Sequence, residues 1–204
     1  MATVTADQGT GASAQHGPPP QIPEFQIVPR PGLVVAGVVT VGLVVVVITN
    51  GLWPLEFLHV SFGAAWTVVD LFMGFVVGPI LGRLSIPARL EVATRLMPMM
   101  VIIMPIVVTV TLVAGWQLST KLGTNLTANA DHSWVVASMV VVGIMGILAL
   151  GLLEPANIAV LIELKKKRPQ PEVIERLMKR FIYCSGILGA MQVATFVIMT
   201  KLAS

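Results

Sequence analysis

Residues 55–81 read LEFLHVSFGAAWTVVDLFMGFVVGPIL, an apolar run whose ionisable members are Glu56, His59 and Asp70. Crossing roughly 30 Å of hydrocarbon takes about 20 apolar residues at about 1.5 Å each, so this run is long enough to span a membrane with some tilt. Four further stretches meet the same requirement: 33–52, 96–116, 134–162 and 181–202. The composition agrees. Of 204 residues 55% are hydrophobic and 11% charged, and the mean hydropathy is +0.87, which is far too apolar for a water-soluble domain. The expected fold is an all-α membrane protein with five transmembrane helices, the lipid bilayer serving as solvent.

The net charge of +3 is a topology signal, because nearly all of the cations sit in two short links. One holds Arg83, Arg89 and Arg95; the other holds Lys165, Lys166, Lys167, Arg168, Arg176, Lys179 and Arg180. Short basic loops stay in the cytoplasm. The alternate links, 50–54 and 117–133, carry only Lys121, and Trp53, Trp116 and Trp134 fall at that side as an interfacial belt does. The expectation is a multi-pass protein of the bacterial inner membrane, N-terminus cytoplasmic and C-terminus outside, with no nucleic-acid footprint. Residues 1–31, with Pro18, Pro19 and Pro20 in succession, read as a disordered or partner-bound cytoplasmic tail. Residues 32–53 form an anchor helix that doubles as signal anchor, and 54–204 a four-helix bundle. A single cysteine, Cys184, excludes an internal disulfide or a CxxC motif. Asn125-Leu126-Thr127 matches a glycosylation sequon, a pattern of low specificity.

The bundle carries an internal echo. Glu91-Val92-Ala93-Thr94-Arg95-Leu96-Met97 and Glu172-Val173-Ile174-Glu175-Arg176-Leu177-Met178 match at Glu, Val, Arg, Leu and Met, 81 positions apart. Both precede a helix running outward, which fits a parallel hairpin repeat, helices two and three recurring as four and five. Juxtamembrane composition alone is the competing account.

Ionisable side chains inside a span are costly and mark sites. His59, Gly63, Trp66, Asp70 and Gly74 follow helical steps of three and four, so they share one face of helix two. His59 is the candidate ligand for haem or a metal, Gly63 leaving room for a flat ring and Met139 standing as a second axial candidate at matching depth. The competing reading is a histidine satisfied by a neighbouring helix carbonyl. Asp70 lies about 16 Å deeper than His59 with no Lys or Arg at its level. It suits a proton pathway or an interhelical hydrogen bond. Glu154, in the inner half of helix four, joins it as a candidate for a proton or ion pathway, and Pro155 after it predicts a kink. Met97, Met100 and Met104 share a face and offer soft thioethers to Cu(I), though methionines more often fill gaps. Gly74 and Gly78 form a GxxxG element for close helix packing.

Leu58-His59, six residues and then Trp66, leading to Gly74-Phe75-Val76-Val77-Gly78-Pro79, resembles the opening helix of small bacterial membrane families: copper-resistance D-type proteins, HemJ-type protoporphyrinogen oxidases and related predicted integral membrane proteins. The likeness covers about 55–202. It implies that His59 is a candidate ligand to a b-type haem and that Trp66 is the motif tryptophan. The chain departs from the pattern after Trp66, where Thr67-Val68-Val69-Asp70 replaces an early glycine, and further histidines are absent from helices three to five. The expected function is therefore a non-enzymatic accessory subunit of a larger membrane complex, binding haem b and serving electron transfer or assembly. The alternatives are a proton-coupled or copper transporter, and an oxidoreductase acting on a lipid-soluble substrate.

Overall fold

The computed structural model describes residues 26–123, 132–166 and 169–203. The tail before Gln26, the sequon at Asn125 and the cations Lys167 and Arg168 lie outside the described residues. Among the described residues five helices are long and apolar enough to cross a membrane: α1 (Arg30–Thr49), α2 (Leu52–Arg83), α3 (Ile86–Lys121), α4 (His132–Leu164) and α5 (Pro171–Ala203). The protein is thus an all-α, multi-pass membrane protein. α3 and α5 begin well before the apolar runs at 96 and 181. A helix continues wherever its backbone bonds can close, and Arg95 pairing with Glu91 and Lys179 with Glu175, each one turn apart, support those polar opening segments.

α2 packs on α3 and α5, and α4 packs on the same two, so α2 and α4 stand at opposite corners of a four-helix ring. α1 lies outside, mainly against α3. Its one buried residue is Leu43, and the side chains of Val34, Val38, Val41 and Ile48 face outward. Ile27, just before α1, packs on the core. At the far end of α1, Asn50 takes the left-handed conformation (φ 48°) that closes a helix. Lys121 donates to the Asn50 carbonyl and Gln117 donates to its side chain at 3.3 Å. Lys121 is therefore tied to the α1 terminus.

The two hairpins match at seven buried positions. Ala93, Met97, Met100, Met104, Val107, Val108 and Thr111 are buried on α3, and so are their counterparts 81 positions later, Ile174, Met178, Phe181, Ser185, Leu188, Gly189 and Gln192. The first helix of each hairpin also has the same irregularity. π-helical stretches occupy Phe72–Val77 and Ala149–Leu153, each followed two residues later by a proline, Pro79 or Pro155. A proline supplies no N–H and its ring crowds the preceding turn. The widened turn absorbs this, with Gly78 N–H reaching Met73 O and Glu154 N–H reaching Ala149 O, each five residues back. The kink foreseen at Pro155 takes this form, and the one at Pro79 was not foreseen.

Arg89 fastens the basic end. Its Nε donates to Leu84 O and one Nη to Gly82 O, both at 2.9 Å, while the other Nη meets Glu175 at 3.1 Å. One guanidinium thus caps the end of α2 and ties the α2–α3 turn to α5. Between α2 and α5 the backbones touch: a Cβ on Gly74 would lie 2.5 Å from Gly186 Cα, and one on Gly78 2.4 Å from the Ile182 side chain. The GxxxG element works within the bundle, where close packing substitutes for the hydrophobic drive that lipid removes. Gly74→Ala must push α2 off α5 and lower stability by about 1–3 kcal/mol. Gly143, with nothing within 4 Å of its Cβ position, is the control: Gly143→Ala leaves the melting temperature in detergent unchanged or slightly raised.

Candidate functional site

The α2 stripe faces protein. Trp66 is 2% exposed and Asp70 0%, whereas Val68, Phe72 and Phe75 on the other face are more than half exposed. Gln192 Nε2 donates to Asp70 Oδ2 at 3.2 Å, and the side chains of Trp66 and Ser185 adjoin the same carboxyl. Asp70 Oδ1, Trp66 Nε1, Ser185 Oγ and the Gln192 carbonyl oxygen are buried without a hydrogen-bond partner. On α4, Glu154 and Asn157 are one turn apart and buried. Glu154 Oε1 and both polar atoms of the Asn157 amide are likewise unpartnered. The buried hydroxyls of Thr67 and Thr111 close on their own helices, on Gly63 O and Val107 O. Among the described residues, buried side-chain polar atoms without a partner are found around the two acids and at His132.

The register of the helices fixes the depth of these groups. Gly74 faces Gly186 and Gly78 faces Ile182, so each step along α2 is matched by a step back along α5, and Asp70 stands level with Ala190. The Thr195 hydroxyl meets the Met145 sulfur at 3.6 Å, which puts Glu154 level with Gly186. The two carboxyls therefore differ in depth by only about 6 Å, on opposite corners of the ring, with the Ser185 and Gln192 face of α5 between them. The ion pairs Arg89–Glu175, Arg95–Glu91, Lys166–Glu163 and Lys179–Glu175 belong to the basic end. Among the described residues, no cation pairs with Asp70 or Glu154. A carboxylate buried without a counter-charge costs several kcal/mol.

Ser185, Gln192 and Asn157 escaped the sequence reading. Their signal was present: Ser185 and Gln192 are seven apart on one face of an apolar helix, and Asn157 follows Glu154 by three.

His59 sits about 16 Å nearer the tryptophan end than Asp70. Its Nδ1 lies 2.9 Å from Thr111 O, and because a carbonyl only accepts, Nδ1 carries the hydrogen. In the neutral ring Nε2 then keeps its lone pair, the state in which an imidazole ligates. Gly115 makes room for the ring, since a Cβ there would lie 2.6 Å from it. Gly63 is faced by the Thr111 methyl, 3.4 Å from its Cβ position, so α3 takes the space expected to receive a flat ring. Met139 is level with His59 by the same register, but it is on α4 while His59 turns to α3. Met97, Met100 and Met104 are buried with Met73 and Met178 in one core cluster. Among the described residues no group of three His, Cys, Asp or Glu is arranged to hold a metal ion.

No protein-family model matches the chain, and no curated protein or solved structure shows significant similarity to it.

The His59 arrangement has a direct spectroscopic consequence. In the neutral protein, ¹⁵N spectra of selectively labelled histidine show His59 as the Nδ1–H tautomer, and Gly115→Ala, which thrusts a methyl into the ring, removes that signature. A wild-type Nε2–H tautomer would refute the assignment.

Proposed function

We propose that this chain is a proton-carrying protein of the bacterial cytoplasmic membrane, N-terminus inside, in which Asp70 and Glu154 relay protons through the bundle. The observation that carries the reading is the pair of buried carboxyls, close in depth and with no cation partner among the described residues, beside which Asp70 Oδ1, Glu154 Oε1, the Gln192 carbonyl oxygen and the Asn157 amide keep open hydrogen-bonding positions while Trp66, Ser185 and the Gln192 amide N–H adjoin Asp70. Donors and acceptors so placed hold water or pass protons, and intramembrane carboxyls in pumps and transporters do this work. The two π-helical turns support it, since such turns recur at functional sites and here one begins two residues after Asp70 and the other immediately precedes Glu154. Orientation rests on the basic links.

The test is reconstitution of the purified full chain in liposomes with a trapped pH dye, an inside-negative potential being imposed across the membrane. Proton entry well above that of protein-free vesicles is expected, with Asp70→Asn and Glu154→Gln each lowering it at least about tenfold, the scale of a lost relay group. Flux equal to empty vesicles, or unchanged in both variants, would contradict the reading.

A second reading has its own observation. The Thr111 carbonyl leaves His59 Nε2 suited to ligation, which with the Leu-His…Trp resemblance supports a haem-binding accessory subunit. The outward apolar face of α1 suits contact with other membrane subunits. A Soret band in the purified protein that disappears in His59→Ala is the expected result on this reading; its absence from wild type removes it. The buried Met97, Met100 and Met104 thioethers support copper passage more weakly, as they pack in the general core.

A further inference from the structure

Between α2 and α5, on the basic half of the molecule, lies a cavity of about 570 Å³. Its floor is the seam where Gly74 and Gly78 admit α5, and its walls are apolar, Phe75, Pro79 and Ile182 among them. Its two ends differ in chemistry. The deep end is Ala190, level with Asp70; the mouth carries Arg89, Lys179 and Glu175. From Lys179 to Ala190 the helix rises about 16 Å, close to half of the roughly 30 Å hydrocarbon core. The groove therefore spans one leaflet, apolar along its length and charged at the interface.

The charges at the mouth are unequally committed. Arg89 spends its fork on Glu175 and the carbonyls of Gly82 and Leu84. Lys179 meets Glu175 through one of its three N–H groups and stays 61% exposed, so it has donors left to offer. Arg83, Arg176 and Arg180, all exposed, stand at the same end, and the carboxylates facing Lys179 on its own helix are Glu175 and, a turn earlier, Glu172. The balance is positive.

We infer that this groove is a binding site for an anionic glycerophospholipid, one acyl chain lying along the Gly74–Gly78 seam and the phosphate meeting Lys179. Leaflet-length apolar walls select a chain, and the surplus of cations selects a negative headgroup over a zwitterionic one. The site is separate from the Asp70 and Glu154 relay, and its test does not depend on proton movement.

The full-length protein is incubated in mild detergent with equal amounts of phosphatidylglycerol and phosphatidylcholine of matched chains, and retained lipid is read by native mass spectrometry. Wild type is expected to retain the anionic lipid about fivefold over the zwitterionic one, the scale of one cation at a membrane surface. Lys179→Gln brings that ratio toward one, and Ala190→Phe, which fills the deep end without touching the core, lowers retention of both lipids. Equal retention of the two lipids by wild type overturns the inference. So does wild-type behaviour in both variants, or a dimer that Ala190→Phe dissolves, which would make a second copy of the chain the occupant.

Discussion

A carboxyl group cannot face hydrocarbon unpartnered, and this constraint on Asp70 sets the rotation of α2 and through it the order of the ring. With Asp70 turned to Gln192 and Ser185 of α5, Trp66 is drawn inside one turn above and Gly74 meets Gly186 one turn below. The outer face is left to Val68, Phe72 and Phe75. Helices in lipid gain little from apolar burial against one another, so contact quality and polar pairing decide their arrangement. Here both act on the same seam: glycines allow the backbones to touch, and the amide of Gln192 reaches the acid.

The second hairpin repeats this plan with different side chains. α3 and α5 share seven buried positions, but where α3 carries Met104 and Thr111, α5 carries Ser185 and Gln192. The hydroxyl of Thr111 closes on its own helix, leaving that face inert, while Ser185 and Gln192 keep unpaired atoms aimed at the interior. α2 and α4 likewise share a π-helical stretch before a proline, yet the acid precedes it on α2 and follows it at once on α4. A symmetric frame thus holds an asymmetric polar centre.

The five spans and the protein-facing stripe were legible because each rests on a strong local rule, hydrophobic length or helical period, and the outside position of α1 followed from the repeat that leaves it unmatched. The GxxxG pattern was legible as a packing element, though only the structure supplies its partner, Gly186. The π-helical turns were not, since a proline in an apolar run announces a disturbance but not whether the helix bends or widens. Nor were the partners of Asp70, because pairing across helices 122 positions apart depends on ring order, which hydropathy does not encode. The space before Gly63 was misjudged for the same reason: a glycine makes room, and only the fold says whether a ligand or, as here, the Thr111 methyl takes it.

Everything proposed for the interior depends on which side of α2 meets lipid. The most direct measurement is a nitroxide scan of single cysteines from position 64 to 76 in a Cys184→Ser background, reading collision with oxygen in reconstituted bilayers. Minima at 66, 70 and 73 with maxima at 68, 72 and 75 are the predicted pattern. The opposite phase, with position 70 among the most accessible, would turn Asp70 to the acyl chains and contradict the account.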